Sequence, residues 1–315
     1  MKITRPSFEI WERDEKRGGL SIIEKAARTC YKTEDRITGD SAERIVRMLI
    51  QRRHEAMLEH GDYIFMLEDY HILDNVTDGL ADLMSRTGSA PMLRFTNVGG
   101  DRPIISGNVR AWRELIASGT GAAYLFTGAI DPIYTEDLIP ASERVHDTRI
   151  RQIRYADLAG EVERRTHIRQ TVRFVVDRGV SHEFVRHRVM SFAQESTRYC
   201  NYADDRFGGE ITVIEPCYLT PHTAFYETWK LSCAMAEMEY FAMLDMGLQA
   251  QEARAILPHS TKADLVMTGI LSQWDHFFDL RARQITGPAH PQAAEVAVPL
   301  MADMGRRFPD VIRVN

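Results

Sequence analysis

The chain is short of what several common function classes require. Its 315 residues hold four cysteines, Cys30, Cys200, Cys217 and Cys233, with no C-x-x-C pair among them. That scatter argues against a zinc site and against a disulfide framework, and it suits reduced thiols in the cytoplasm. No apolar run approaches the length of a membrane span, and the opening stretch MKITRPSFEIWERDEKRGG has no signal-like apolar core. Cations are also in deficit: 39 Lys and Arg against 45 Asp and Glu give a formal net charge of −6. A general nucleic-acid binder needs the opposite balance to neutralise a phosphate backbone. Internal repeats and low-complexity segments are missing too. What remains is an ordinary globular composition, 44% hydrophobic and 27% charged, in a chain long enough for a substantial core.

Periodicity places the first clear helix over residues 20–31, LSIIEKAARTCY. A second begins near Asp40, with Glu43 in a capping position and Ile45, Val46, Leu49 and Ile50 at helical spacing. The runs 62–68, 171–177 and 207–216 read as strands, the last stopped by Pro216. The longest helix is expected from Thr220, with Pro221 in its first turn, to Gly247. Its stripe of Phe225, Trp229, Cys233, Ala236, Tyr240 and Met243 reads as core or subunit interface. Helices and strands follow no repeating βαβ order, which points to an α+β fold, mixed helices around a mainly antiparallel sheet.

Two apparent motifs fail on spacing. In RRHEAMLEH the histidines His54 and His60 are six apart, so they cannot share a helix face as a zinc-protease pair must. GTGAAY (119–124) lacks the third glycine of a dinucleotide fingerprint and follows a helical pattern. The stretch FVRHRVMSFAQESTRYCNY (184–202) is different. Arg186, His187 and Arg188 point about 100° apart if helical, so they cannot share one carboxylate. Beyond them come Gln194, Glu195, Ser196, Arg198 and the ring of Tyr199. Arginine forks suit phosphates and aromatic faces suit flat heterocycles, so these residue types fit a nucleotide pocket as well as a solvated basic helix end.

This stretch resembles the signature of the flavin-dependent thymidylate synthases, the ThyX family, whose R-H-R-x7-S core extends into R-Y. Arg186, His187, Arg188, Ser191, Ser196, Arg198 and Tyr199 match, while Ala193 replaces a usual Asn and Gln194 stands where an acidic residue is common. AARTCY (26–31), HEAMLEH (54–60, with Ala56 for a hydroxyl residue), EARAILP (252–258) and HFFDLR (276–281) resemble further blocks in the family's order. The resemblance implies a single ThyX-like catalytic domain over 1–315, with residues about 61–170 inserted relative to short members.

It also implies an activity: conversion of dUMP to dTMP with methylenetetrahydrofolate as carbon donor and FAD, recharged by NADPH, as reductant. Carried over residue by residue, Arg186, His187, Arg188, Glu59, Gln194 and His276 would serve the cofactor, with His54 near flavin and folate. Glu183, Glu195, Ser196, Thr197, Arg198, Tyr199 and Arg254 would hold dUMP, Gln194 lying in the same loop. Arg281 would sit against the uracil edge, favouring ionisation at N3 and so activating C5 without a protein nucleophile. An N-x-R that shorter members use on FAD is missing before Leu280–Arg281. Asn108 and Arg110 of GNVRAW could replace it, or Asn108 could simply cap a helix. His71, His146, His167 and His259 read as structural or exposed. The family forms homotetramers, and no nucleic-acid, membrane or metal partner is expected. Two alternatives stand beside this reading: a flavin enzyme making another 5-substituted dUMP, such as a hydroxymethyl product, and a flavin- or nucleotide-binding protein without turnover.

Overall fold

The structure, a computed structural model, describes residues 1–87, 92–97, 102–204 and 207–314. Its centre is a four-stranded antiparallel sheet in the order β2 (Ser7–Trp11), β7 (Arg169–Asp177), β10 (Lys262–Ile270), β8 (Ser191–Gln194). β7 and β10 pair over nine residues, from Lys262 opposite Asp177 to Ile270 opposite Arg169. β10 is buried from Ala263 to Ile270, as its sequence ADLVMTGI requires of a strand covered on both faces. The polar exceptions are satisfied: Thr268 meets His60 Nδ1 at 2.7 Å and Thr171 Oγ1 at 2.8 Å.

A second antiparallel sheet runs β4 (Leu93–Thr96), β5 (Ile104–Asn108), β3 (Asp62–Leu67), β6 (Ile150–Gln152). Alternation along β3 splits its side chains between two cores. Tyr63, Phe65 and Leu67 pack with Trp112 and Phe126, whereas Ile64 joins the core of the first sheet. His167, at the end of the helix Glu161–His167, ties the layers together, with Nε2 2.7 Å from Thr96 Oγ1 and Nδ1 2.7 Å from Ser106 Oγ. β1 (Lys2–Thr4) and β9 (Thr212–Ile214) form a short parallel pair. The fold is α+β, as expected.

Expected and observed elements agree where apolar periodicity is strong and part where local chemistry intervenes. The helix Leu20–Tyr31 and the strands at 62 and 171 stand where the sequence puts them. The run 207–216 shrinks to the three residues of β9. The long helix is Ala224–Asp245, starting after Thr220 because His222 adopts a left-handed φ of 66°; Thr223 caps it, accepting from Tyr226 N at 3.3 Å. Trp229, Cys233, Tyr240 and Met243 of its stripe are core, but Phe225 is 79% exposed. Asp40 makes no cap bond, its carboxylate being drawn to Arg44 and to Thr38 Oγ1.

Three histidines are buried and neutral. Burial, with Arg169 nearby, pushes His60 down to about 3; burial and Arg94 push His167 to about 4; burial, then Arg281 and His276, push His187 to about 4. In the unfolded chain each takes up a proton near the ordinary pH 6.5, so over this interval the unfolded state binds more protons than the folded one. Stability therefore falls as pH drops from about 7 towards about 4. The thermal midpoint should decline over that range, and His167→Gln, which can still bridge both hydroxyls, should shrink the decline. A midpoint equally flat in both proteins would refute this.

Candidate active site

Both central strands run straight into helices, and this brings distant motifs together. β7 enters the helix Arg178–Phe184, whose N-cap Asp177 accepts from Val180 N at 2.8 Å. After Phe184 the chain turns through Arg186, His187 and Arg188 and returns as β8. β10 enters the helix Leu271–Arg281, which lies back over the sheet with Trp274, Phe277 and Phe278 fully buried. Phe277 stands 5.0 Å from the Phe184 ring and 6.2 Å from Phe174. Such edge and tilted contacts each contribute about 1 kcal/mol beyond area burial.

The last residue of that helix completes a cluster. Arg281 Nη1 donates to Glu183 Oε2 at 2.5 Å, Nη2 to the Glu183 carbonyl at 3.4 Å, and Nε to His187 Nε2 at 3.1 Å. The third bond requires His187 Nε2 to be an unprotonated acceptor, which agrees with its lowered pKa. Three of the five N–H groups of Arg281 are thus used and two remain for a ligand. His276 lies 6.3 Å from the His187 ring and is itself exposed. Arg186 and Arg188 are exposed, and their side chains have no partner among the described residues.

The loop after β8 makes a second group. Tyr199 packs edge-on to Tyr31 at 5.7 Å, and Tyr31 Oη lies 3.2 Å from His54 Nδ1. Burial raises the Tyr31 phenol, so it stays protonated in that bond. Thr197 Oγ1 accepts from Arg254 Nη1 at 3.1 Å, and Ser196 Oγ accepts from Arg198 N at 3.3 Å. Among the described residues no base reaches Ser196, so it carries no sign of a nucleophile. Gln194 donates to Ser181 Oγ at 2.9 Å. Arg169 Nη2, deep between the motifs, lies 3.4 Å from both the Glu59 carbonyl and Ser191 Oγ.

Glu195, expected in the dUMP loop, is almost fully buried. Its side chain is 1% exposed and accepts from Lys262 Nζ at 2.9 Å, Tyr202 Oη at 3.2 Å and Asp264 N at 3.2 Å. Asp264 beside it binds Lys262 at 2.6 Å, Arg173 Nη2 at 2.8 Å and Lys32 Nζ. Burial alone would raise the Asp264 carboxyl, but Lys262, Lys32 and Arg173 together hold it well below the carboxylate range. Lys32 reaches this pair from a left-handed residue, φ 51°, at the end of the first helix. Sequence reasoning missed Lys32, Tyr31, Arg169, Lys262 and Asp264. The signal for the last two was present: Lys262 and Asp264 interrupt an otherwise apolar run.

Asn108 takes the capping role considered for it, and Arg110 is held in ion pairs. Asn108 caps the helix Val109–Ala117 by accepting from Ala111 N at 2.7 Å. Arg110 reaches Glu59 Oε1 at 2.8 Å and Glu114 Oε1 at 2.9 Å. Gly61, just past Glu59, allows a close crossing, since a Cβ there would fall 2.3 Å from the Gly18 carbonyl oxygen.

The charge cluster behind the loop gives a stability test. Removing one member of a buried ionic group commonly costs about 3 kcal/mol, because its partners stay buried and unneutralised. Asp264→Asn should lose about that much in urea unfolding, whereas Glu34→Gln, an exposed partner of Lys32, should lose about 0.5 kcal/mol or less. Equal losses would show that the cluster does not behave as a buried unit.

Comparison with known proteins adds to this geometry. The family model described as thymidylate synthase complementing protein matches residues 142–310. The flavin-dependent thymidylate synthase of Pyrococcus furiosus is 31% identical over 127 residues, 40% of this chain and 50% of that one. Those of Geobacter sulfurreducens and Corynebacterium glutamicum are 32% and 29% identical over 34% and 43% of this chain, covering 44% and 57% of theirs. The chain thus spans about half the length of these relatives. Among solved structures, the UMP/dUMP methylase PolB from Streptomyces cacaoi bound with 5-Br dUMP aligns over 99% of this chain and 95% of that one. Its identity is 16% and its TM-score 0.41, too loose a likeness to bear on the fold. The family match runs unbroken through both motif strands, the R-H-R turn and the Arg281 helix, and it takes in more than half of the residues. The chain belongs to the ThyX family of thymidylate synthase complementing proteins.

Proposed function

We propose that this protein converts dUMP to dTMP, with methylenetetrahydrofolate as carbon donor and FAD, recharged by NADPH, as reductant. The observation that carries the reading is the meeting of Arg281 with Glu183 and His187, which joins two motif blocks nearly a hundred positions apart through bonds of 2.5 and 3.1 Å. In this reading the two unused N–H groups of Arg281 face the uracil edge and stabilise negative charge as it develops there. Glu183 and His187 hold the guanidinium in place. Ser196, Thr197, Arg198 and Arg254 bind the nucleotide phosphate, and Tyr199 offers its ring to a flat base. Glu195 belongs behind the loop, anchoring it.

The donors near the turn fit a flavin dinucleotide. Arg186 and Arg188 present two guanidinium groups without carboxylate partners among the described residues, the chemistry a pyrophosphate needs. Neutral His187, with His276, Gln194 and the Glu59–Arg110 pair, offers hydrogen bonds to a polar ring edge. Bound FAD supplies the hydride transfer. In this reading His54, held by Tyr31, would serve flavin and folate.

Residues about 61–170 act here as an added layer on one catalytic domain spanning 1–315. A homotetramer is supported by the outer face of the long helix, where Leu231, Met235 and Met238 are 63%, 52% and 63% exposed at helical spacing. The cytoplasm suits the free cysteines. No helix among the described residues is long and apolar enough to cross a membrane.

The test is anaerobic incubation with dUMP, methylenetetrahydrofolate, FAD and NADPH, followed by the mass of the nucleotide. A product heavier than dUMP by one methylene is expected, and Arg281→Ala should lower its rate by about 100-fold, as removal of one charge-stabilising donor commonly does. Arg186→Ala should lose bound FAD. A hydroxymethyl mass, or unchanged dUMP, would overturn the assignment.

A further inference from the structure

A cavity of about 770 Å³ opens on the far side of the Tyr31–His54 contact. One wall is the end of the helix Ser41–Gln51 with the segment that follows, contributing Ile50, Arg53, His54 and Met57. The opposite wall comes from residues 110–138, with Arg110, Arg113 and Leu138 facing in. The layer read from the sequence as an insertion therefore encloses space beside the candidate site.

The cations lining this cavity differ in one respect. Arg113 is neutralised twice, by Asp137 at 2.8 and 2.9 Å and by Glu55 at 3.1 Å. Arg110 is neutralised by Glu59 and Glu114 at 2.8 and 2.9 Å. Arg53 is exposed and its side chain has no partner among the described residues. It also occupies a left-handed backbone position, φ 56°, where glycine would be free of strain and an arginine is not. Ile50, Met57 and Leu138 give the cavity an apolar floor, and Tyr31 closes it towards Tyr199.

An apolar and aromatic floor with one unneutralised cation suits a flat-ring ligand carrying an anionic tail. We propose that this cavity takes the anionic tail of a co-substrate, with Arg53 as its counter-charge and residues 110–138 as the outer wall. The inference rests on the proposed function, which supplies two ligands of this chemistry: the glutamate carboxylates of a folate and the phosphates of NADPH.

Calorimetric titration of the FAD-loaded protein tests it with tetrahydrofolate bearing one or several glutamates, and separately with NADPH. Arg53→Gln should weaken one of these ligands by about fivefold, the scale of an exposed charge pair, and should flatten its salt dependence. A loss confined to tetrahydrofolate, growing with glutamate number, identifies the folate tail; a loss confined to NADPH identifies the dinucleotide. Leu138→Trp, which fills the cavity from the other wall, should weaken the same ligand while thermal unfolding checks that the variant is folded. If wild type binds both ligands and Arg53→Gln binds them equally well, the inference is overturned and the proposed function stands. If wild type binds neither, the proposed function fails and the inference fails with it.

Discussion

The pairing of β7 with β10 is the constraint on which the candidate site depends. The two strands are antiparallel and nine residues long, so the helices that leave them start at opposite ends of the sheet. Each helix turns back over the sheet. Their lengths of seven and eleven residues together span about 27 Å at the usual rise, close to the roughly 30 Å of the strands. They therefore meet end to end, Glu183 and the His187 turn on one side and Arg281 on the other. A register slip of one residue would exchange the two faces of β10, taking Thr268 away from His60 and Thr171 and displacing the Arg281 helix relative to Glu183.

Behind the ligand loop, charge is handled in the opposite way from its front. Glu195 and Asp264 sit in the interior with Lys32, Lys262 and Arg173, a grouping stable only because each carboxylate has several charged or polar partners. The geometry couples three elements that are far apart in sequence: the end of the first helix, the end of β8 and the start of β10. Ser196 N also donates to the Cys30 carbonyl at 3.2 Å, so the loop is held to the first helix by backbone as well as by charge. Anchored this way, Arg198 and Tyr199 can face outward from a fixed base.

What the sequence disclosed depended on the range of the physics involved. The helix Leu20–Tyr31 and the strands at 62 and 171 were legible because apolar periodicity is a local signal that burial later reinforces. The late start of the long helix was not, since nothing in TPHT announces that His222 would turn left-handed. At the site, motif order suggested which residues belong together, yet the partners that hold them are non-local. Lys32 on Asp264, Arg110 on Glu59 and Tyr31 on His54 are pairings across the fold, and no spacing encodes them. Glu195 shows the limit most clearly: its place in the motif gave no sign that the alternation of β8, continued by one residue, would turn it inward to Lys262 and Tyr202.

The distribution of arginines bears on how an acidic chain could hold the anions proposed for its site. At a net charge of −6 the protein would repel anionic substrates if charge acted over its whole width. Screening limits that influence to about 8 Å at physiological salt, so the charges near the cavities decide. Many arginines elsewhere are neutralised, among them Arg17 by Glu43 and Asp131, Arg47 by Glu136, and Arg164 by Asp310. Arg53, Arg186, Arg188 and Arg198 have no carboxylate partner among the described residues, and all four lie on or beside the candidate site. Other exposed arginines, among them Arg36 and Arg52, also lack a carboxylate partner among the described residues, so the local field is set by several unpaired guanidinium groups. For the anions proposed above, the attraction would come from the arginines that the fold leaves unpaired beside the site, and the total charge would have little part in it.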